Sequence, residues 1–170
     1  MSNLRLVKEY TTSVAASRLT YTDLFTDDFD CYMVTMTGKA ASSAAGGHMS
    51  LVTNVSGNKD HSSVYKWSLR YAKGNAGDGD LKNNNVTDWA NCAGVYDTTG
   101  GESVWYFFNP GDATKYTYMT GINATTTSGD SRHYRYLGVH ANQVQITGLS
   151  MEMDNTMTGT IRAYGIRTDS

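Results

Sequence analysis

The sequence has 170 residues, a formal net charge of -2 and only 18% charged residues. This length predicts one domain with a substantial core, and the weak charge excludes the basic face that nucleic-acid binding requires. No apolar run approaches the ~20 residues of a membrane-spanning helix, so we expect no membrane partner. The 12 Tyr and 17 Gly residues are typical of a strand-rich protein rather than a disordered chain.

Alternation of apolar and polar residues with a period of two predicts strands along most of the chain. The alternation begins at Leu4 and returns in Ser17–Phe25 and Cys31–Thr37, and it is clearest in Val64–Tyr71. Val104–Phe108 is apolar on both faces, which predicts a central strand that is covered on both sides.

The last part of the chain, Gln145–Ile166, predicts two further strands that are joined by a short polar turn. Apolar residues alternate with polar ones in Leu149–Asp154 and again in Thr160–Tyr164. A bulge is predicted at Gly165, because an extra residue there would return Ile166 to the buried face.

The segments between these strands are predicted to be loops or turns. Asn109–Asp112 contains the only proline of the chain and predicts a turn. Val86–Ala93 predicts one short helical turn, and no other segment has the apolar spacing of a helix. Two polar stretches, Gly38–Gly47 and Lys73–Asp88, are predicted to be flexible loops.

Together these patterns predict an all-β fold: an antiparallel β-sandwich of jelly-roll type that forms a single domain over residues 1–170. The residues predicted to fill its core are apolar residues of the strands, namely Leu6, Val34, Met36, Leu51, Trp67, Leu69, Trp105, Phe107, Leu149, Met151, Ile161 and Ile166.

No residue pattern predicts a catalytic, metal or cofactor site. Cys31 and Cys92 lack a CxxC spacing and are predicted to be structural thiols. Asp78–Lys82 begins like a calcium loop, but Lys82 stands where an oxygen ligand is required. The Ser- and Asp-containing loop before His133 lacks a nucleophile elbow. We therefore predict a protein that is not an enzyme and that has no cofactor.

Aromatic and amide side chains provide the candidate contact residues. Trp67 and Trp105 lie within strong strands, where aromatic residues usually fill the core. Trp89 lies in a polar segment beside the Asn-rich stretch, so we expect it to be exposed. The candidate interface or ligand contacts are Trp89, Asn83, Asn84 and Asn85.

Two parts of the sequence resemble a β-sandwich module of structural proteins of tailed bacteriophages, especially marine and cyanobacterial phages. The first is TYTDLFTDDFDCYMV, residues Thr20–Val34, and the second comprises Ile146–Met151 and GTIRAYGI, residues Gly159–Ile166. The sequence departs from the module's pattern in having Phe29 for Tyr and Ala163 for Leu. The two matching parts bracket nearly the whole chain, so the module would be the entire protein, and the resemblance brings no catalytic residues with it.

The resemblance implies a non-enzymatic virion protein that is made in the host bacterial cytoplasm; the first residues, Met1–Arg5, carry no export signal. The role it most favours is a capsid decoration or cement protein that contacts the major capsid protein or other virion proteins. The alternative is a tail or head fibre protein that recognises host surface glycans. A polysaccharide lyase or depolymerase is the rival class. A homotrimer or another closed homo-oligomer is expected.

Overall fold

The computed structural model describes residues 3–42, 47–54, 56–74, 77–93, 98, 100–127 and 130–167. These residues contain ten strands and no helix, and therefore no helix that could cross a membrane. The prediction of an all-β fold is confirmed. The strands are β1 Leu4–Tyr21, β2 Cys31–Ala40, β3 Gly47–Val52, β4 Tyr65–Lys73, β5 Gly77–Val86, β6 Trp89–Ala93, β7 Gly101–Phe108, β8 Thr117–Thr127, β9 Asp130–His140 and β10 Gly148–Ile166.

All ten strands join one antiparallel sheet that forks at β10. The order is β5-β4-β9-β8-β7-β2-β10-β3-β6, and β1 pairs with the other edge of β10. On the shared edge, Met157–Ile166 of β10 pairs with β2, whereas Gly148–Met153 pairs with β3. The chain therefore has a long branch from β10 to β5, named here the main branch, and a short branch of β3 and β6.

The short branch folds over one face of the main branch and encloses the core. Trp89 of β6 is fully buried, and its ring centroid lies 5.3 Å from that of Tyr65 in β4 and 6.3 Å from that of Phe107 in β7. The face of the main branch that meets β6 is the inner face, and the opposite side is its outer face.

The predicted turn between the last two strands is wrong, because residues 148–166 form the single strand β10. The alternation has the same parity throughout: Leu149, Met151 and Met153 are buried, and so are Ile161 and Ala163. A continuous strand keeps odd-numbered side chains on one face. The polar middle of β10 stays extended because β1 pairs along nearly its whole length.

Three other local predictions are also wrong. The predicted loop Lys73–Asp88 contains strand β5, which pairs with β4 as a hairpin. The predicted helical turn Val86–Ala93 contains strand β6. Of the predicted loop Gly38–Gly47, residues 38–40 belong to β2 and residue 47 to β3; residues 43–46 lie outside the described part of the chain.

The predicted turn at Asn109–Asp112 is confirmed, since the backbone N–H of Asp112 donates to the carbonyl of Asn109 at 3.3 Å.

Most of the predicted core residues are buried, with three exceptions. Leu6 is 50% exposed, and Trp67 and Ile166 are half-buried. Leu6 and Ile166 are not buried in the core because their side chains point to the outer face, as their register in β1 and β10 shows.

Glycines within the strands make room for aromatic rings on the inner face. A Cβ on Gly138 would lie 2.8 Å from Cε2 of Trp89, and one on Gly165 would meet the ring of Phe29. The predicted bulge at Gly165 is wrong, because β10 pairs with β2 there without a register shift. Gly165 instead allows Phe29 to pack against the backbone of β10.

We predict that Gly138→Ala lowers the free energy of unfolding by about 1–3 kcal/mol, because the added methyl group overpacks the Trp89 ring. Urea unfolding followed by tryptophan fluorescence measures the change. The control is Ser68→Ala, at an exposed position of the adjacent strand β4. An unchanged unfolding midpoint for Gly138→Ala would contradict this packing.

Candidate interaction surface

The outer face of the main branch carries two adjacent rows of uncharged side chains. Directly paired residues of neighbouring strands point to the same side of a sheet, so the strand register identifies these rows. They cross six strands, from β9 to β1, and are together named the apolar band. The first row is Val139, Tyr118, Phe108, Cys31, Ile166 and Leu4, and the second is Leu137, Thr120, Tyr106, Met33, Tyr164 and Leu6.

The apolar band is open to solvent in this chain. Leu137 is 62% exposed, Leu6 50% and Tyr118 45%, and Ile122 in the next row is 57% exposed. Strand spacing and rise give the band dimensions of roughly 29 Å by 14 Å, or about 400 Å². A patch of this size lies within the range of the largest apolar patch on an ordinary monomer, and such a patch is often functional.

Charged side chains border the apolar band. The row beyond it has Arg135 at one end and Arg162 near the other, with the uncharged Ile122, Val104 and Thr35 between them. Nε of Arg162 is 2.5 Å from Oε2 of Glu9. Towards the β5 edge the outward-facing residues include Lys66 and Lys82. An apolar centre with a polar rim is the usual composition of a protein–protein interface.

A groove of about 640 Å³ lies where the apolar band reaches β4 and β5. It combines aromatic and aliphatic side chains with ammonium and amide groups that can donate hydrogen bonds. Its outward-facing lining includes Phe108, Tyr118, Leu137, Lys66, Lys82 and Asn84.

The four predicted contact residues do not lie on one surface: Trp89 is buried, and the three Asn residues are exposed. The predicted exposure of Trp89 is wrong: Trp89 is fully buried between the inner face and β6, where Gly138 leaves room for its ring. Asn83, Asn84 and Asn85 are exposed on β5. Asn84 faces the groove, whereas Asn83 pairs with the half-buried Trp67 on the inner face. A contact role for the three Asn residues stays a prediction.

The apolar band was not identified as a site from the sequence, although one signal for it is present there. Val104–Phe108 is apolar on both faces, and the inner residues Trp105 and Phe107 are indeed fully buried. The outer residues Tyr106 and Phe108 are 37% and 39% exposed. The described part of the chain therefore covers the inner side of β7, as the sequence predicts. It leaves Tyr106 and Phe108 on the outer side partly exposed.

A partly buried polar cluster joins the loop after β3 to the end of β9. Nε2 of the fully buried His140 lies 2.8 Å from Oδ2 of Asp60. The other carboxylate oxygen, Oδ1, accepts from the backbone N–H of Ser62 at 2.8 Å and also from its hydroxyl. The Tyr65 hydroxyl donates to the backbone carbonyl of Asp60 at 3.0 Å. Because Asp60 stands between Ser62 and His140, the cluster lacks the histidine–hydroxyl contact of a nucleophilic triad.

The cluster keeps His140 neutral and Asp60 ionised. Burial lowers the pKa of His140, although Asp60 acts to raise it. Burial raises the pKa of Asp60, but hydrogen bonds from Ser62, Asn142 and His140 outweigh this effect and lower the pKa to about 2. An ionised carboxylate only accepts, so the proton between Nε2 and Oδ2 belongs to His140.

The remaining candidates from the sequence show no reactive arrangement. Burial raises the pKa of Cys92, and burial together with Asp30 raises that of Cys31, so both thiols remain protonated. Asp78 and Asp80 belong to the extended strand β5 rather than to a loop that could surround an ion. His133 is exposed on β9. The described residues hold no group of three or more His, Cys, Asp or Glu residues that could bind a metal.

The comparisons with known proteins find matches only among solved structures. No protein-family model and no curated protein matches the sequence. Among solved structures, an endo-beta-1,4-glucuronan lyase from the fungus Trichoderma reesei has a TM-score of 0.28 at 11% sequence identity. The alignment covers 95% of this chain and 76% of the lyase chain. A functionally unknown protein from Saccharomyces cerevisiae has a TM-score of 0.23 at 8% identity, and the alignment covers 91% of this chain and 95% of the yeast chain. The CBM2 module of the evolved Dit of Lactobacillus casei BL23 phage J-1 has 0.16 at 8% identity, with coverages of 90% and 70%. TM-scores this far below 0.5 carry no argument about fold or function.

We predict that acidification destabilises the protein through the Asp60–His140 cluster. Below about pH 6.5 the histidine of the unfolded chain takes up a proton that the folded chain, with its lowered His140 pKa, does not. The contribution of His140 to stability is therefore largest above that pH and falls as the pH decreases. Stability falls again below the ordinary aspartate range, towards the Asp60 pKa of about 2.

The test is Asp60→Asn, which we expect to lower the free energy of unfolding at neutral pH by about 1–3 kcal/mol, since it weakens a buried hydrogen-bond network. Urea unfolding at about pH 7 and about pH 5 measures both the loss and the pH dependence. Asp80→Asn on the exposed strand β5 is the control. Equal stability and equal pH dependence of Asp60→Asn and wild type would contradict the role of the cluster.

Proposed function

We propose that this chain is a non-enzymatic structural protein of a tailed-bacteriophage virion, and specifically a capsid decoration or cement protein. It stabilises the head through contacts with the major capsid protein or other virion proteins. The observation that carries the proposal is the apolar band, because a broad uncharged face with a charged rim suits protein–protein contact. Self-association into a closed homo-oligomer is part of the proposal, and the homotrimer expected from the sequence is one such assembly.

The phage-like sequence segments lie together in the fold, which supports taking them as one module. Thr20–Val34 begins at the end of β1 and continues into β2, and Gly159–Ile166 is the adjoining half of β10. Cys31 pairs with Ile166, and the Phe29 ring packs against Gly165. The two segments thus form neighbouring parts of one sheet.

We further propose that the fold is a sandwich of jelly-roll type. Two layers are supported by the position of β6 over the inner face of the main branch. Strand β10 contributes to both layers, as strands do in sandwiches whose corners are made by strands that pass from one sheet to the other.

The decoration role predicts that the protein is abundant in purified virions of the phage that encodes it. Decoration proteins cover a surface of repeated capsid subunits, so we expect a copy number comparable to that of the major capsid protein. Quantitative mass spectrometry of purified particles, with the major capsid protein as internal reference, measures it. A few copies per particle would contradict decoration, and complete absence would contradict a virion role.

A fibre or receptor-binding protein is the second candidate, and the groove beside Asn84 favours it. Phe108 and Tyr118 offer aromatic surface, and Lys66, Lys82 and Asn84 offer hydrogen-bond donors. If this candidate is correct, host surface glycans bind the wild-type protein, and Tyr118→Ala or Asn84→Ala weakens the binding.

Isothermal titration calorimetry with isolated host polysaccharide measures the binding. Asn83→Ala is a matched control, because Asn83 lies next to Asn84 on the same strand but faces the other side of the sheet. Binding that is absent in wild type, or weakened equally by Asn83→Ala and Asn84→Ala, would contradict glycan recognition in the groove.

A further inference from the structure

The outer face of the main branch needs a partner that this chain does not supply. In the apolar band, twelve uncharged side chains lie side by side on six strands. Tyr106 and Phe108 of β7 belong to the band, whereas Trp105 and Phe107 on the other side of the same strand are fully buried. A strand that is apolar on both faces is normally covered on both faces.

We propose, building on the structural role proposed above, that a second copy of this chain covers the apolar band in a twofold-symmetric pair. The band then contacts the band of the partner copy, so that the same surface is used by both chains. The exposed large hydrophobic side chains favour this symmetry. Of those in the described residues, seven lie on the outer face, namely Leu4, Leu6, Tyr106, Phe108, Tyr118, Ile122 and Leu137, and the others are Val14, Leu81 and Tyr116.

The distribution of these residues favours pairing of the band with itself over a heterologous pairing of the described surface. A heterologous contact, as in a trimeric ring, would place the band against a different surface of the next copy. The described residues offer no second apolar surface of similar size, since Val14, Leu81 and Tyr116 lie on different elements: β1, β5 and the segment before β8. The band therefore finds a matching surface only in itself.

Charge and area both agree with a self-matching contact. No charged residue lies within the band, so pairing two bands buries no unpaired charge. Together with its rim, the outer face spans eight strands and three rows, or about 770 Å² per copy. Two bands alone cover about 800 Å² in total, and the charged rim supplies the rest of a contact close to the ~1,600 Å² of a standard stable interface.

The first experiment measures oligomeric state by sedimentation equilibrium of the full chain over a range of micromolar concentrations. Wild type should have twice the monomer mass of 18.6 kDa. Leu137→Asp places a charge within the contact, and we expect dimerisation to weaken about tenfold or more. Because Leu137 is 62% exposed in the single chain, the variant should fold normally, and circular dichroism and thermal unfolding check this. Val14→Asp is the matched control, since Val14 is 78% exposed and lies outside the band.

The second experiment reports on the band itself. Cys31 lies in the first row of the band and is half-buried, whereas Cys92 is fully buried in the core. In wild type, alkylation of Cys31 should become slower as protein concentration rises and dimer forms. In Leu137→Asp the rate should not depend on concentration. Cys92 should stay unreactive in both proteins until they unfold.

The outcomes distinguish this inference from the virion role. A monomer at every concentration, a three-chain mass, or equal effects of Leu137→Asp and Val14→Asp would each overturn the twofold pair. If wild type is monomeric while Leu137→Asp alone is lost from virions, another virion protein covers the band, which overturns the pair and supports the virion role. If wild type is a dimer that depends on Leu137 but is absent from virions, the pair stands and the virion role fails.

Discussion

The pairing of β10 with three strands at once fixes the position of every other element. One edge of β10 pairs with β1 over both of its halves, and the other edge pairs first with β3 and then with β2. Its odd-numbered side chains face the core from Leu149 to Ala163. The same strand therefore forms the wall of the main branch at one end and carries the short branch at the other, so β6 lies over the inner face.

The close fit of aromatic rings to glycines sets how closely these rings approach the backbone of the main branch. The Trp89 ring occupies the space over Gly138, and a Cβ on Gly121 would lie 2.4 Å from Cδ1 of Trp105. Any side chain at these glycines would push the rings away from the backbone of β8 and β9. The inner face is thus filled by this chain alone, with large rings directly on the sheet. This separates the two faces of the main branch: the chain itself buries central inner residues such as Trp105 and Phe107, whereas Tyr106 and Phe108 on the outer face stay exposed.

The sequence predicts those parts of the fold in which local alternation and burial agree. Val34, Leu69 and Phe107 were recognised as core because their strands alternate or are wholly apolar. The residues of β5 predict a loop because Gly, Asp and Asn have low strand propensity, whereas the extended form of β5 comes from pairing with β4. Asn85, with a φ of 56°, forms a bulge there that no alternation could reveal. The exposure predicted for Trp89 is wrong because its sequence neighbours are polar, whereas the residues that bury it, such as Tyr65, are distant in sequence. The apolar band was visible only as the two-faced β7, since alternation shows that a face is apolar but not what covers it.

The size of the apolar band limits what kind of assembly it can support. Covering about 400 Å² on each of two copies yields about 20 kcal/mol of gross hydrophobic free energy. Association costs about 4–15 kcal/mol before side chains are ordered. The surplus suffices for a reversible pair but leaves little margin, so the charged rim and any neighbouring contacts decide its lifetime. A face of this kind binds more tightly when many copies are fixed close together on a larger surface. The effective concentration of the partner is then high, so association loses less translational and rotational entropy. The same band therefore pairs reversibly at micromolar concentration in solution and holds more firmly on a particle.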